Sequence, residues 1–335
     1  MSSKRGRVSI AAAVWAFIGA GTCLCAQEIN VVAPVKIKLG GSYQLEYKSS
    51  RDAADSIVNK KSRLRLKGNA TDLPAVTFFL QSEFGQTPAL LDMTLEYSNK
   101  EIAPFLDFRL TAGQFKPPFS REHLVNDDII EILNRSAAVE ALAPGRDTAT
   151  KGRDIGAMAV VGAQPWGRQD FAVGSVAVIN GEGANNADKN DQKDLVARFE
   201  LNPRSFLSLG ASYLEGRRGS PRTIKNRSGW DAKLSYGPVS ATYEQIYGIT
   251  GPTRAKGQYM LATAWLWSSV LQLSGRYDWF DPNLGKSGDR SFITTLGLNW
   301  YPYKILRLTL NNEIKREEGS QKGNDTIILS VLFFF

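Results

Sequence analysis

The sequence predicts an all-β fold: a transmembrane antiparallel β-barrel of about sixteen strands with a long third loop folded into its bore. Three observations carry that expectation. Apolar and polar residues alternate with period two over most of the chain. The links between these runs are tight on one side and long and polar on the other. The N-terminus has the layout of an export leader.

In chain order, the leader comes first. Lys4, Arg5 and Arg7 precede an apolar run from Val8 to Ala20, followed by small residues. This predicts a signal peptide over residues 1–26, cut near Ala26–Gln27 or alternatively after Cys25. Both cysteines, Cys23 and Cys25, lie inside it, so residues 27–335 form the barrel without disulfides. Losing the three basic residues lowers the formal charge from +8 to +5. That excess is too diffuse for nucleic acid, and no reader motif is present.

The first strands alternate clearly. Ile37, Leu39, Tyr43 and Leu45 oppose Lys36, Lys38, Ser42, Gln44 and Glu46. Leu64 and Leu66 oppose Arg63, Arg65 and Lys67; Val76, Phe78 and Leu80 oppose Thr77, Gln81 and Glu83. Leu91, Met93 and Leu95 oppose Asp92, Thr94 and Glu96; Leu106, Phe108 and Leu110 oppose Asp107, Arg109 and Thr111. Eleven further strands are predicted near 153–163, 170–181, 193–201, 206–216, 228–236, 238–248, 256–267, 270–281, 290–301, 304–315 and 324–335. Tight links are expected at 71–74, 165–168, 202–204, 237–238, 268–269 and 302–303, and long loops at 48–57, 115–152, 182–192, 217–227, 249–255, 282–289 and 316–323. The link at 85–89 is the short exception.

Aromatic residues fall at strand ends, among them Tyr43, Tyr97, Tyr213, Tyr259, Trp265, Tyr277, Trp300 and Tyr301. Such rings suit a membrane interface, with an apolar body and a polar tip. Apart from the leader, no run is long and apolar enough for a membrane helix, which leaves the outer face of a closed barrel as the route into lipid.

The segment 115–152 is the outlier. It opens with Phe115-Lys116-Pro117-Pro118-Phe119, which cannot join a sheet interior. From Asn126 to Leu142 the residues Ile129, Ile130, Leu133, Ala137 and Ala141 recur at helical spacing. This predicts a helix capped by Asn126, with Asp127 and Asp128 in its first turn. An insert of this length between two strands is usually functional.

Gly113 to Glu122 (GQFKPPFSRE), followed by Gly145-Arg146-Asp147 and Arg153-Asp154-Ile155-Gly156, resembles the phosphate-selective porin O/P family. The resemblance implies a sixteen-stranded, usually trimeric barrel whose third long loop enters the pore; that loop here is 115–152. The ending Ile327, Leu329, Val331, Phe333, Phe335 resembles the C-terminal signature by which the barrel-assembly machinery recognises outer-membrane proteins.

Catalysis has little support, and no enzyme is expected. The one histidine, His123, has Ser120 and Asp127 nearby in sequence, which is weak for a triad; a solvated loop histidine is the expectation. A histidine metal cluster is excluded, and Asp188–Gln192 lacks the glutamate and glycine of a calcium loop. No cofactor motif occurs.

Transport remains. Inward faces of a wide barrel set selectivity through their charges. The candidate pore-lining, anion-binding residues are Arg63, Arg65, Lys67, Arg109, Arg276 and Arg307 on strands, with Lys116, Arg121, Arg135, Arg146 and Arg153 from the insert. Arg217, Arg218, Arg222, Lys225 and Arg227 are expected in a mouth loop. Guanidinium forks suit phosphate-like and other inorganic anions. The competing role for these cations is structural pairing with inward Glu46, Glu83, Asp107, Glu200, Glu244, Asp278 and Glu313. The expectation is an anion-preferring outer-membrane porin, its partners being lipid, small anions and two further copies; a weakly selective porin, or a barrel with an enzymatic or adhesive loop, stays open.

Overall fold

A computed structural model describes residues 28–30, 35–85, 87–103, 105–165, 170–219, 222–319 and 323–335. The predicted signal peptide and its cysteines lie outside these residues, as does most of the predicted turn 165–168.

Sixteen antiparallel strands close into a barrel. In order they are β2 (Val35–Ser50), β3 (Ala53–Ala70), β4 (Val76–Glu83), β5 (Ala89–Ala103), β6 (Leu106–Phe115), β7 (Asp154–Ala163), β8 (Ala172–Ile179), β9 (Asp194–Arg204), β10 (Leu207–Arg218), β11 (Thr223–Tyr236), β12 (Val239–Thr250), β13 (Thr253–Trp267), β14 (Leu271–Asp281), β15 (Ser291–Tyr303), β16 (Leu306–Glu317) and β17 (Thr326–Phe334). Each pairs with its neighbour in sequence, and β17 pairs with β2 to close the ring. A short β1 (Glu28–Asn30) continues the same edge of β2 just past the C-terminus, where Phe335 and Gly41 exchange backbone hydrogen bonds.

Closure leaves no sheet edge, so every strand can satisfy its backbone against a neighbour while its apolar side meets lipid. The two faces follow the alternation. Ser42, Gln44 and Glu46 on β2 are buried, whereas Tyr43 and Leu45 between them are exposed. The exposed Met93, Leu95, Phe199 and Leu296 belong to the same outer belt.

Several expectations are corrected. Strands run further than predicted, so the loops at 48–57 and 249–255 shrink to tight turns between β2 and β3 and between β12 and β13. The mouth loop at 217–227 is mostly strand: Arg217 and Arg218 end β10, and Lys225 and Arg227 lie buried in β11. Leu91 does not share the outer face of Met93 and Leu95. It is the extra residue of a bulge opposite Gln81 and Ser82, and it is buried. Tyr259, Trp265 and Tyr301 do not join an outer aromatic belt: they share the inward face with buried Thr263 on β13 and Asn299 on β15.

Candidate functional site

The residues between β6 and β7 do not form the predicted helix over 126–142. Two short helices stand there instead: α1 (Arg121–Leu124) and α2 (Ala137–Leu142). Their caps are serines. Ser120 Oγ accepts from His123 N, and Ser136 Oγ accepts from Val139 N. Asn126 caps a single turn, its Oδ1 accepting from Asp128 N. Between the helices the backbone carbonyls are taken by barrel side chains. Lys61 Nζ donates to Asp127 O at 2.9 Å, Arg307 Nη1 to Ile130 O at 3.0 Å, Asn299 Nδ2 to Glu131 O at 2.9 Å and Arg276 Nη1 to Asn134 O at 2.8 Å. Tertiary donors thus replace the helical bonds that apolar spacing alone would favour.

The segment is attached from both ends. Ser120 N donates to Ser212 Oγ on β10, and Arg121 N and Glu122 N both donate to the Glu244 carboxylate on β12 at 3.1 Å. The Arg121 side chain reaches Asp231 and Ser208 at 2.6 Å. Glu122 holds the two helices together: Oε1 accepts from Arg276 at 2.9 Å, and Oε2 accepts from Ser136 N at 2.8 Å. Helix α2 packs its Ala138, Val139 and Leu142 with Ile246, Ala255, Tyr259 and Leu261 of the barrel wall. Gly257 permits that approach, since a Cβ there would fall 2.6 Å from Ala138 Cβ.

A cavity of about 470 Å³ lies between this segment and strands β3 and β4. Six basic residues line it (Lys60, Lys61, Arg63, Arg135, Arg146 and Lys151) with three carboxylates, Glu83, Asp127 and Glu140. Arg63 donates to Glu83 at 2.9 Å and Asp127 at 2.8 Å, which leaves its buried Nη1 without a partner among the described residues. Asp127 is also paired with Arg135. Burial would raise the Asp127 carboxyl, but Lys116, Arg135 and Arg63 around it outweigh burial and hold it well below the usual carboxylate range.

The predicted site residues therefore divide. Arg63, Arg135 and Arg146 border the cavity. Arg65 pairs with Asp128. Lys116 donates to the carbonyls of His123 and Val125, Arg121 pairs with Asp231, Arg153 with Asp92, Arg276 with Glu122 and Asp278, and Arg307 binds Ile130 O. Lys67 and Arg109 are exposed and do not border the cavity. Sequence reasoning missed Lys60 and Lys61 as a pair. Strict alternation sends neighbours to opposite faces, but Lys60 is the extra residue of a bulge between the pairs Lys61↔Gln44 and Asn59↔Leu45. No alternation pattern signals it; only the double lysine does.

His123 is fully buried, contrary to the solvated loop residue expected. Its Nδ1 accepts from Arg146 Nε at 3.3 Å, and Gly152 leaves room for the ring, since a Cβ there would lie 2.6 Å from His123 Cε1. Burial, then the charges of Arg146 and Lys116, push its imidazole well below the ordinary range. No group of acidic, histidine or cysteine side chains among the described residues is arranged to hold a metal ion.

The family described as phosphate-selective porin O and P matches residues 37–237, more than half of the chain. The chain belongs to this porin family. The barrel and the family place the porin in the bacterial outer membrane. Solved porins share its architecture at low sequence identity. An anion-selective porin from Comamonas acidovorans is 14% identical with a TM-score of 0.67, over 90% of this chain and 100% of that one. Salmonella typhi OmpF in complex with daunomycin is 10% identical with a TM-score of 0.68, over 92% and 100%. A trimer form of Vibrio cholerae OmpT is 11% identical with a TM-score of 0.61, over 90% and 99%. No curated protein matches the sequence. In this porin, one group of basic residues fastens the β6–β7 segment, and another borders the cavity beside it.

Proposed function

We propose that this porin passes small anions by diffusion, and that the β6–β7 segment forms the constriction. The observation that carries this reading is the excess of cations over carboxylates around the cavity between that segment and β3. In a narrow, partly desolvated passage, fixed charge of one sign raises the local concentration of the opposite ion. Arg63, Arg135, Arg146, Lys60, Lys61 and Lys151 supply the field; Arg65, Lys116, Arg121, Arg153, Arg276 and Arg307 hold the segment in place. Lys67 and Arg109 act at most on the approach to it. Phosphate-like and other inorganic anions are the solutes, and the anion-selective porin of the same architecture supports the sign. A signal peptide over residues 1–26 directs export, the aromatic C-terminus ending at Phe335 addresses the barrel-assembly machinery, and the outer belt meets lipid in a homotrimer, as in the trimeric form of a similar barrel. A channel rather than an enzyme fits this arrangement.

The test is the reversal potential in a KCl gradient across a planar bilayer. Wild-type protein is expected to track chloride, and Lys60→Gln with Lys61→Gln to move the potential towards zero. Cation preference in the wild type overturns the reading.

A further inference from the structure

A second cavity, of about 430 Å³, lies on the other side of the same segment, towards the rim of tight turns. Ile129 and Glu131 form its roof, while Ile130 and Leu133 face the basic cavity, so residues 129–134 are the partition between the two. Its wall is unlike the rest of the barrel interior. The Trp265 and Tyr301 rings lie 5.5 Å apart with 43° between their planes. Ile129 stands 65% exposed in the same lining. Around the rings are Lys233 and the hydroxyls of Ser240 and Thr263, which are 2.8 Å apart. Trp265 is fixed relative to the partition through a row across the sheet. It pairs in register with Gln272, Gln272 with Asn299, and Asn299 Nδ2 bonds both Gln272 and Glu131 O.

We infer that this cavity is a second solute subsite, selective for anions that carry one carboxylate on a flat ring. The inference rests on the anion-diffusion reading and names a solute class within it. Two rings and an exposed isoleucine give a flat apolar body a surface that inorganic phosphate cannot use. Lys233 on the wall takes the carboxylate, and the hydroxyl row accepts ring substituents. Glu131 across the cavity repels a second negative charge, which disfavours dianions. A solute is thus drawn in by the basic cavity and sorted by shape below the partition.

The experiment measures the acid concentration that halves the chloride current of the full-length protein in planar bilayers, with acid added at the tight-turn side. Benzoate is expected to block at about ten-fold lower concentration than acetate, and phthalate to block less well than benzoate. Trp265→Leu keeps an apolar side chain and is expected to bring benzoate and acetate within about two-fold of each other. Because each protein supplies its own ratio, a general change in conductance cancels. Lys233→Gln is expected to weaken both monoacids together; no change would overturn the role of Lys233. Equal block by benzoate and acetate in the wild type, or an unchanged ratio in Trp265→Leu, overturns the subsite. If chloride preference stands while the acids are not distinguished, only this inference fails; if chloride preference is lost, the anion reading fails first.

Discussion

At the scale of residues, the buried charges divide into those that fasten and those that face open space. Arg276 is bonded by Asp278 at 2.8 Å and Glu122 at 2.9 Å, while Arg63, in the cavity lining, meets two carboxylates and has one buried nitrogen without a partner among the described residues. Period-two alternation reads both as inward arginines, because it reports a face and carries no information about the partner on a distant loop. His123 shows the same limit: its position in a polar segment suggested exposure, but the ring fills the space beside Gly152. Its depressed basicity has a defined sign. The imidazole is neutral when folded and binds a proton more readily when released, so its contribution is complete above its ordinary value of about 6.5 and is lost as pH falls below it. Arg146, Lys116, Arg135 and Arg153 all disfavour the imidazolium. The unfolding free energy in detergent should therefore fall between pH 7 and pH 5.5, by at most about 1.4 kcal/mol per pH unit, and the melting temperature should drop with it. His123→Gln, which keeps an acceptor for Arg146, should flatten that slope; an equally pH-dependent variant would contradict this account.

At the scale of elements, the β6–β7 segment shows what local pattern can and cannot fix. Pro117 and Pro118 end β6 as the sequence indicates, and α2 starts within the predicted apolar run. The predicted first turns are missing because Asp127 and Asp128 are drawn to Arg63 and Arg65 on the wall. Strand bulges at Lys60 and Leu91 are likewise settled by register with neighbours. Glu122 is the residue on which this element depends, since it joins Arg276 to the start of α2. Glu122→Ala leaves Arg276 with Asp278 as its one bonded carboxylate and frees Ser136 N. Removing one member of a buried pair costs about 3–5 kcal/mol. The expected outcome is a folded barrel with larger, noisier single-channel conductance and weaker chloride preference. Unchanged conductance and selectivity would show that the segment does not narrow the path.

For the whole molecule, strand number and antiparallel order were legible, because each strand must show lipid one face and water the other; the expected loops at 48–57, 217–227 and 249–255 were not, since strands continue into them. The inward-facing aromatics were not, since a ring near a strand end suits either an interface or a bore, and only parity measured from a buried neighbour separates them. Ring closure was expected, but its register was not legible, because it joins β17 to β2 across nearly the full length of the sequence. A chain ending after Asn324 lacks β17, so β2 and β16 would each present an unpaired row of backbone groups. Such a truncation should fail to give the compact, heat-modifiable band of the full chain on a gel; a compact band of normal mobility would argue against closure as the stabilising step.

The hydrogen bonds between Phe335 and Gly41 set an order of events in time. The partner of the first barrel strand is β17, which is made only after all fourteen intervening strands. No portion made earlier can complete the ring, and contacts of such long sequence separation form slowly. Until β17 reaches β2 the sheet keeps two unpaired borders, so a chain still waiting for closure is open to mispairing with other chains.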